Sequence, residues 1–165
     1  MVDAADAALR FLRALKRLPT YTGIVFHGLP TGSGLSSARW THGVTATSND
    51  PHIATENFWT LAVAAIVSRT GRDIAAFSAH PAEQEILLSP EVVLLEVART
   101  ALPDGRPVVI VEQLAESDPS ASLPPTLDEL VSHVQQLLRA SLESPPAPVT
   151  TPGEFVEPLF FLDDA

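Results

Sequence analysis

The chain has 165 residues, 45% of them hydrophobic and 18% charged, enough for one domain with a buried core plus a short appendage, and this excludes wholesale disorder. Cysteine is absent, and with it any disulfide framework, thiolate metal site or cysteine nucleophile. Ten Lys and Arg against twenty Asp and Glu leave a net charge of −10, with Lys16 the single lysine, so neither a nucleic acid nor an anionic membrane surface is an expected partner.

Residues 3–18 place Ala5, Ala8, Leu12 and Leu15 on one face at helical spacing, and Pro19 closes the segment. Asp3, Asp6 and the interspersed arginines speak against a secretory signal here, and no uncharged run is long and apolar enough to span a bilayer. YTGIVFHGL (21–29) is β-branched and aromatic and predicts a strand; TGSGLSSARW is a Gly- and Ser-rich loop; HGVTATS (42–48) predicts a second strand. Asp50 and Pro51 then supply a cap and a first-turn proline, which predicts a helix from about 51 to Phe58. LAVAAIVS (61–68) fits helix or strand by period, and is taken as a buried strand ending at an Arg-Thr-Gly-Arg-Asp turn.

An irregular loop spans Ile74 to Pro81, and QEILL, VVLLEVA and VVIVEQL are three further strands, the last two joined through a Pro-Asp-Gly turn. About six strands with two early helices make an α+β pattern rather than a doubly wound one. Beyond Glu116 prolines and small polar residues bracket one helix, 127–142, with Thr126 as cap and Glu129 as its capping-box partner, before the apolar and acidic end FVEPLFFLDDA. Residues 1–116 are thus expected to form the main domain and 117–165 an extension that packs back onto it.

The histidines at 27, 42, 52, 80 and 133 are scattered without zinc-like spacing, so no metal is expected. Gly32 and Gly34 lack the Lys-Ser/Thr ending of a phosphate loop, and Ser36 and Ser37 lack a nucleophile elbow. Glu83 and Glu85 differ. Two apart on a strand, they would share one face and repel, raising one pKa while the other stays ionised. Such a pair suits an anion beside a developing cation plus a carboxylate that orients or deprotonates an attacking group. From the pair alone, two outward glutamates on a solvated edge strand are the favoured reading.

The order of segments extends this. LKRLPTYTGIVFHG, THGVTATSNDPHIATENF, SRTGRDIAAFSAHPAEQEILLSP and VVIVEQL resemble the ADP-ribosyltransferases of the toxin-like, arginine-modifying branch over roughly residues 9–114. The resemblance is most specific at Ser78, Glu83, Glu85, Ile86 and Leu87. It implies a split β-sandwich with flanking helices and NAD as substrate. Glu85 matches the glutamate that bonds the ribose 2′-hydroxyl and stabilises the oxocarbenium-like transition state; Glu83 matches the one that engages the acceptor guanidinium.

Thr47 and Ser48 match the last two residues of the family's Ser-Thr-Ser, with Ala46 in the first place. Phe58 matches the aromatic ending the helix, and Phe77 lies in the loop that recognises the target. His27, followed by Gly28, stands where this branch has Arg-Gly gripping the NAD phosphates. The diphtheria-toxin and polymerase branch has His on this strand, bonding the ribose, but carries tyrosines in the middle, and the sole Tyr here is Tyr21.

The implied function is mono-ADP-ribosylation of arginine on a protein target, with NAD hydrolysis when no acceptor is present. The resemblance also implies a toxin or effector acting in cytoplasm, delivered by other means, and a cognate inhibitor protein as a further partner. Two alternatives stand beside it. One is a catalytically weakened or inactive binding module on the same fold; the other is an unrelated α+β accessory protein that binds a partner through its 127–142 helix and apolar terminus.

Overall fold

In the computed structural model, residues 3–30, 39–41, 43–115 and 123–159 are described. The first helix, α1 (Ala4–Leu15), begins at Asp3, whose carboxylate accepts the Ala5 amide at 3.3 Å. Of its apolar face only Leu15 is buried, and Leu9 and Phe11 stay half exposed. The helix therefore docks by its C-terminal end, where the Arg72 guanidinium also bonds the Leu18 carbonyl.

The main sheet follows from a central strand that is apolar on both sides. Strand β1 (Thr20–Leu29) runs antiparallel to β4 (Ala62–Asp73), from Thr20 opposite Arg72 to Leu29 opposite Ala62. On the other side β4 runs parallel to β7 (Pro107–Gln113); β7 pairs with β6 (Val93–Ala101), and β6 with the short β2 (Arg39–Trp40). Alternate side chains of β4 serve two cores. Ala62, Ala64 and Ile66 join Val25, Leu29, Val109 and Val111, whereas Val63, Ala65 and Val67 join Phe26, Val108 and Ile110.

A second, smaller pair splits away from this sheet. Strand β3 (Thr45–Ser48) and β5 (Glu85–Leu88) are antiparallel to one another. β3 touches β1 only at Phe26 and Ser48, and β5 touches the end of β4 at Arg72 and Asp73. Ile86 and Leu88 close the first core from this side. The opposite face is covered by α3 (Leu127–Glu143) through Leu130, Val134 and Leu138. Thr126 and Glu129 form its capping box, and His52 Nε2 donates to the Ser141 carbonyl at 2.6 Å near its other end.

Three expectations are corrected. The helix after Pro51, α2, ends at Ala54 rather than Phe58. Glu56, Asn57 and Phe58 take φ of 50°, 62° and 60°, a left-handed run that costs about 1–2 kcal/mol per residue. It is held by bonds that local periodicity cannot show. Asn57 pairs both ways with the Ala147 backbone at 2.9 and 2.8 Å, and the Thr55 hydroxyl accepts the Phe58 amide at 2.8 Å.

Next, residues 69–73 continue β4 instead of turning. The Gln113 side-chain oxygen accepts the Arg69 and Thr70 amides at 2.7 and 3.0 Å, and Gly71 lets the strand bend onto β5, since a Cβ there would stand 2.7 Å from Ile86 Cγ2. Last, Glu83 and Glu85 do not share a strand. Glu83 ends a 3₁₀ turn (Pro81–Glu83), and Gln84 is left-handed at φ 49°, ψ 47°. The Gly- and Ser-rich segment 31–38, His42 and the proposed boundary after Glu116 lie outside the described residues.

Leu138 is 2% exposed and Leu9 53%. Leu138→Ala should therefore lower unfolding free energy by about 2–5 kcal/mol, while Leu9→Ala stays within about 0.5 kcal/mol. Urea unfolding of both proteins checks this; equal midpoints would show that α3 is not part of the cooperative core.

Candidate active site

The site begins with two hydroxyls. Ser48 lies opposite Glu85 and Thr47 opposite Ile86 in the β3–β5 pair. Thr47 Oγ1 donates to the Ile86 carbonyl and Ser48 Oγ to the Glu83 carbonyl, both at 2.6 Å, and Ser48 Oγ accepts the Asp50 amide at 3.0 Å. With the Asn49 amide on the Gln84 carbonyl at 3.2 Å, the backbone of 83–86 is clamped at the carbonyls of 83, 84 and 86. This clamp, rather than strand alternation, brings both carboxylates inward: Glu83 is 4% and Glu85 5% exposed.

Their surroundings differ. Glu83 Oε1 accepts hydroxyl hydrogen bonds from Thr150 and, at 2.7 Å, from Thr151. Burial pushes the Glu85 carboxyl up to about 7, helped by the charge and hydrogen bond of Glu154 and then by the charge of Glu83. A protonated Glu85 facing another carboxyl is what lets acids meet in a dry place.

His27 is buried on β1 beside them. Its Nδ1 lies 2.8 Å from the Ala46 carbonyl, and its Nε2 lies 2.7 Å from the Glu157 carbonyl and 3.3 Å from the Glu157 amide nitrogen. Burial lowers its pKa, outweighing the hydrogen bonds to the Glu157 and Ala46 carbonyls that raise it. Each ring nitrogen thus faces a backbone carbonyl that can accept its N–H, Ala46 at Nδ1 and Glu157 at Nε2. The ring is enclosed by backbone on both nitrogens.

Gly28 donates its amide to the Phe155 carbonyl at 2.9 Å, and a Cβ there would stand 2.6 Å from the Ala54 carbonyl oxygen. Phe58 packs in the other core with Phe26 and Ala54, its ring edge-on to His52 at 5.1 Å, rather than lining the junction of β1, β3 and β5. Phe77 is 76% exposed on the turn Ala75–Phe77.

Thus Glu83, Glu85, Thr47, Ser48, His27 and Gly28 gather where β1, β3 and β5 meet, and Phe58 and Phe77 lie outside that group. The sequence reasoning missed Thr150, Thr151, Glu154 and Glu157, which touch Glu83, Glu85 and His27 in turn. The only signal was a pair of glutamates set among apolar residues in GEFVEPL. Among the described residues no group of three His, Asp or Glu is placed to hold a metal ion.

Solved structures share this fold. Exoenzyme S from Pseudomonas aeruginosa, solved with human 14-3-3 protein beta and carba-NAD, matches with a TM-score of 0.56 at 19% identity, over 79% of this chain and 69% of its own. ADP-ribosyltransferase HopU1 of Pseudomonas syringae pv. tomato matches with a TM-score of 0.52 at 17% identity, over 67% of this chain and 52% of its own. The fold is that of the ADP-ribosyltransferases. The type III effector XopAI from Xanthomonas axonopodis pv. citri matches at 0.53 and 24% identity, over 66% of this chain and 49% of its own. The chain spans about half the length of HopU1 and of XopAI. No family model and no curated protein matches the sequence.

On this ADP-ribosyltransferase fold the raised Glu85 pKa has a consequence for stability. The carboxyl protonates at about 7 when folded against an ordinary 4.5, so the native state holds its proton more tightly. Stability then falls as pH rises from about 4.5 through about 7, and levels above that. His27 acts oppositely: its lowered pKa costs stability as pH drops below 6.5. Glu85→Gln should remove the first slope alone, gaining on the wild type between pH 5 and pH 8 in urea unfolding. Parallel pH profiles for the two proteins would refute the raised pKa.

Proposed function

We propose that the chain is an NAD-dependent mono-ADP-ribosyltransferase that modifies arginine on a protein target, and hydrolyses NAD when no acceptor is present. One observation carries the reading: two glutamates, two positions apart in sequence, are buried together at the β3–β5 junction and clamped there by Thr47 and Ser48.

In the reaction, the bond between ribose C1′ and the nicotinamide nitrogen breaks, and its electron pair leaves with the ring, which becomes neutral. The ribose takes on oxocarbenium character. Glu85, ionised, accepts a hydrogen bond from the 2′-hydroxyl and opposes the developing charge in a low-dielectric pocket. Glu83 holds the acceptor guanidinium and takes the proton that its attacking nitrogen loses on bonding C1′.

Thr47 and Ser48 position both carboxylates by fixing the backbone that carries them. His27, without a permanent charge, suits a ribose hydroxyl, whereas an arginine would grip phosphate by charge. Gly28 lets the cofactor approach the strand without a side chain. Phe58 supports the turn after α2 from inside the core, and the exposed ring of Phe77 is the contact for the protein acceptor. Residues 1–116 form the catalytic unit and 117–165 brace it. The protein acts in a cytoplasm as a toxin or effector, with a cognate inhibitor protein as a further partner.

Glu85→Gln should lower nicotinamide release by about 10²–10³-fold while NAD affinity changes little. Glu83→Gln should abolish transfer to arginine and leave hydrolysis largely intact, because water needs no carboxylate to hold it. Nicotinamide release and labelling of an arginine analogue from tagged NAD separate the two. Unaltered turnover in Glu85→Gln would remove the proposal.

A further inference from the structure

Residues 150–159 run across the site group by group. Thr150 and Thr151 place their hydroxyls on Glu83, and Glu154 places its carboxyl on Glu85. The Phe155 carbonyl takes the Gly28 amide at 2.9 Å, and the Glu157 backbone takes His27 Nε2 at 2.7 Å. Val156 lies over Gly28, where its Cγ2 would stand 3.1 Å from a Cβ. Every polar group assigned above to NAD or to the acceptor, apart from the backbone clamp itself, is therefore engaged by one stretch of the same chain.

We infer that residues 150–159 are an autoinhibitory strap, which occupies the place of NAD and must leave before NAD can enter. The inference rests on the transferase reading of the site. The contacts copy the ligand's chemistry. Hydroxyl donors stand on Glu83, where an acceptor's N–H groups would stand, and a hydrogen-bonding partner stands on Glu85, where the ribose 2′-hydroxyl would stand. Backbone atoms fill the hydrogen-bonding positions of His27 and Gly28.

The strap is built to sit there but not to merge with the core along its length. Phe155 and Leu159 are buried at 3% and 6%, whereas Thr150, Gly153, Glu154, Glu157 and Pro158 are exposed. Gly153 makes the bend with φ of 88°, and its amide reaches Glu56 at 2.5 Å. Upstream, the Asn57–Ala147 pair fixes the start of the segment, so a released strap stays tethered near its site. A short tether gives an effective concentration in the millimolar range, against which NAD competes. Part of the hold is the Glu154 carboxyl facing Glu85, a contact that weakens once Glu85 loses its proton.

The test compares the wild type with a Thr150→Ala, Thr151→Ala, Glu154→Ala variant, which keeps Phe155 and Leu159. The variant should show a KM for NAD at least about tenfold lower in nicotinamide release, because the closed fraction no longer reduces apparent affinity. In the wild type, saturating NAD should speed hydrogen exchange at the amides of residues 153–157, a measurement that needs no variant. Equal KM values, or NAD binding with exchange at 153–157 unchanged, would overturn the strap while leaving the transferase reading standing. Should neither folded protein bind NAD at millimolar concentration, both readings fall.

Discussion

Two short hydrogen bonds from β3 to the backbone of 83–86 hold the candidate site together. Thr47 and Ser48 spend their hydroxyls on carbonyls of the neighbouring strand and turn rather than on solvent. A left-handed Gln84 would otherwise leave that backbone loosely placed. With the carbonyls of 83 and 86 fixed, the carboxylates of Glu83 and Glu85 cannot swing outward to hydrate. The cost of burying them is then met in two ways, by hydroxyl donors on Glu83 and by proton retention on Glu85. Geometry comes first here, and the shifted acidity follows from it.

The split of the sheet makes room for this clamp. β4 is apolar on both faces because it is sandwiched, with β3 and β5 on one side and α3 on the other. Gly71 and the Gln113 bridge let its far end reach β5. The same strand therefore anchors the core and closes the ring of strands around the site. A chain of −10 net charge buries two of its carboxyl groups at that closure, which is tolerable only because polar partners surround them.

Much of the fold was legible in the sequence, and the reasons differ by element. The α3 cap was visible because Thr126 and Glu129 interact within one turn. The β6–β7 hairpin was visible because Gly105 supplies a positive φ where Pro-Asp-Gly requires it. The end of α2 was not, because the left-handed run at 56–58 depends on Asn57 meeting Ala147, 90 positions away. Likewise Glu83 and Glu85 were recognised as a pair, but for the wrong geometric reason, since alternation along a strand says nothing of a 3₁₀ turn. The enclosure of His27 was hidden because its partners include Glu157, 130 positions on. Local pattern carries local structure; the site is made almost wholly of distant contacts.

Those separations also set an order in time. Closing a chain loop costs more as it lengthens, by about 0.6 kcal/mol for each doubling. The hairpin and the capped helix close cheaply, and the β1–β4 pairing at intermediate range, whereas the contacts of Glu157 with His27 join points 130 residues apart. Contacts of that kind form once the surfaces they bridge exist. During synthesis, moreover, β1 through β5 leave the ribosome long before residues 150–159 are made. The sheet and its buried glutamates are therefore assembled with their junction open, and the last stretch arrives as an intramolecular ligand to a finished surface.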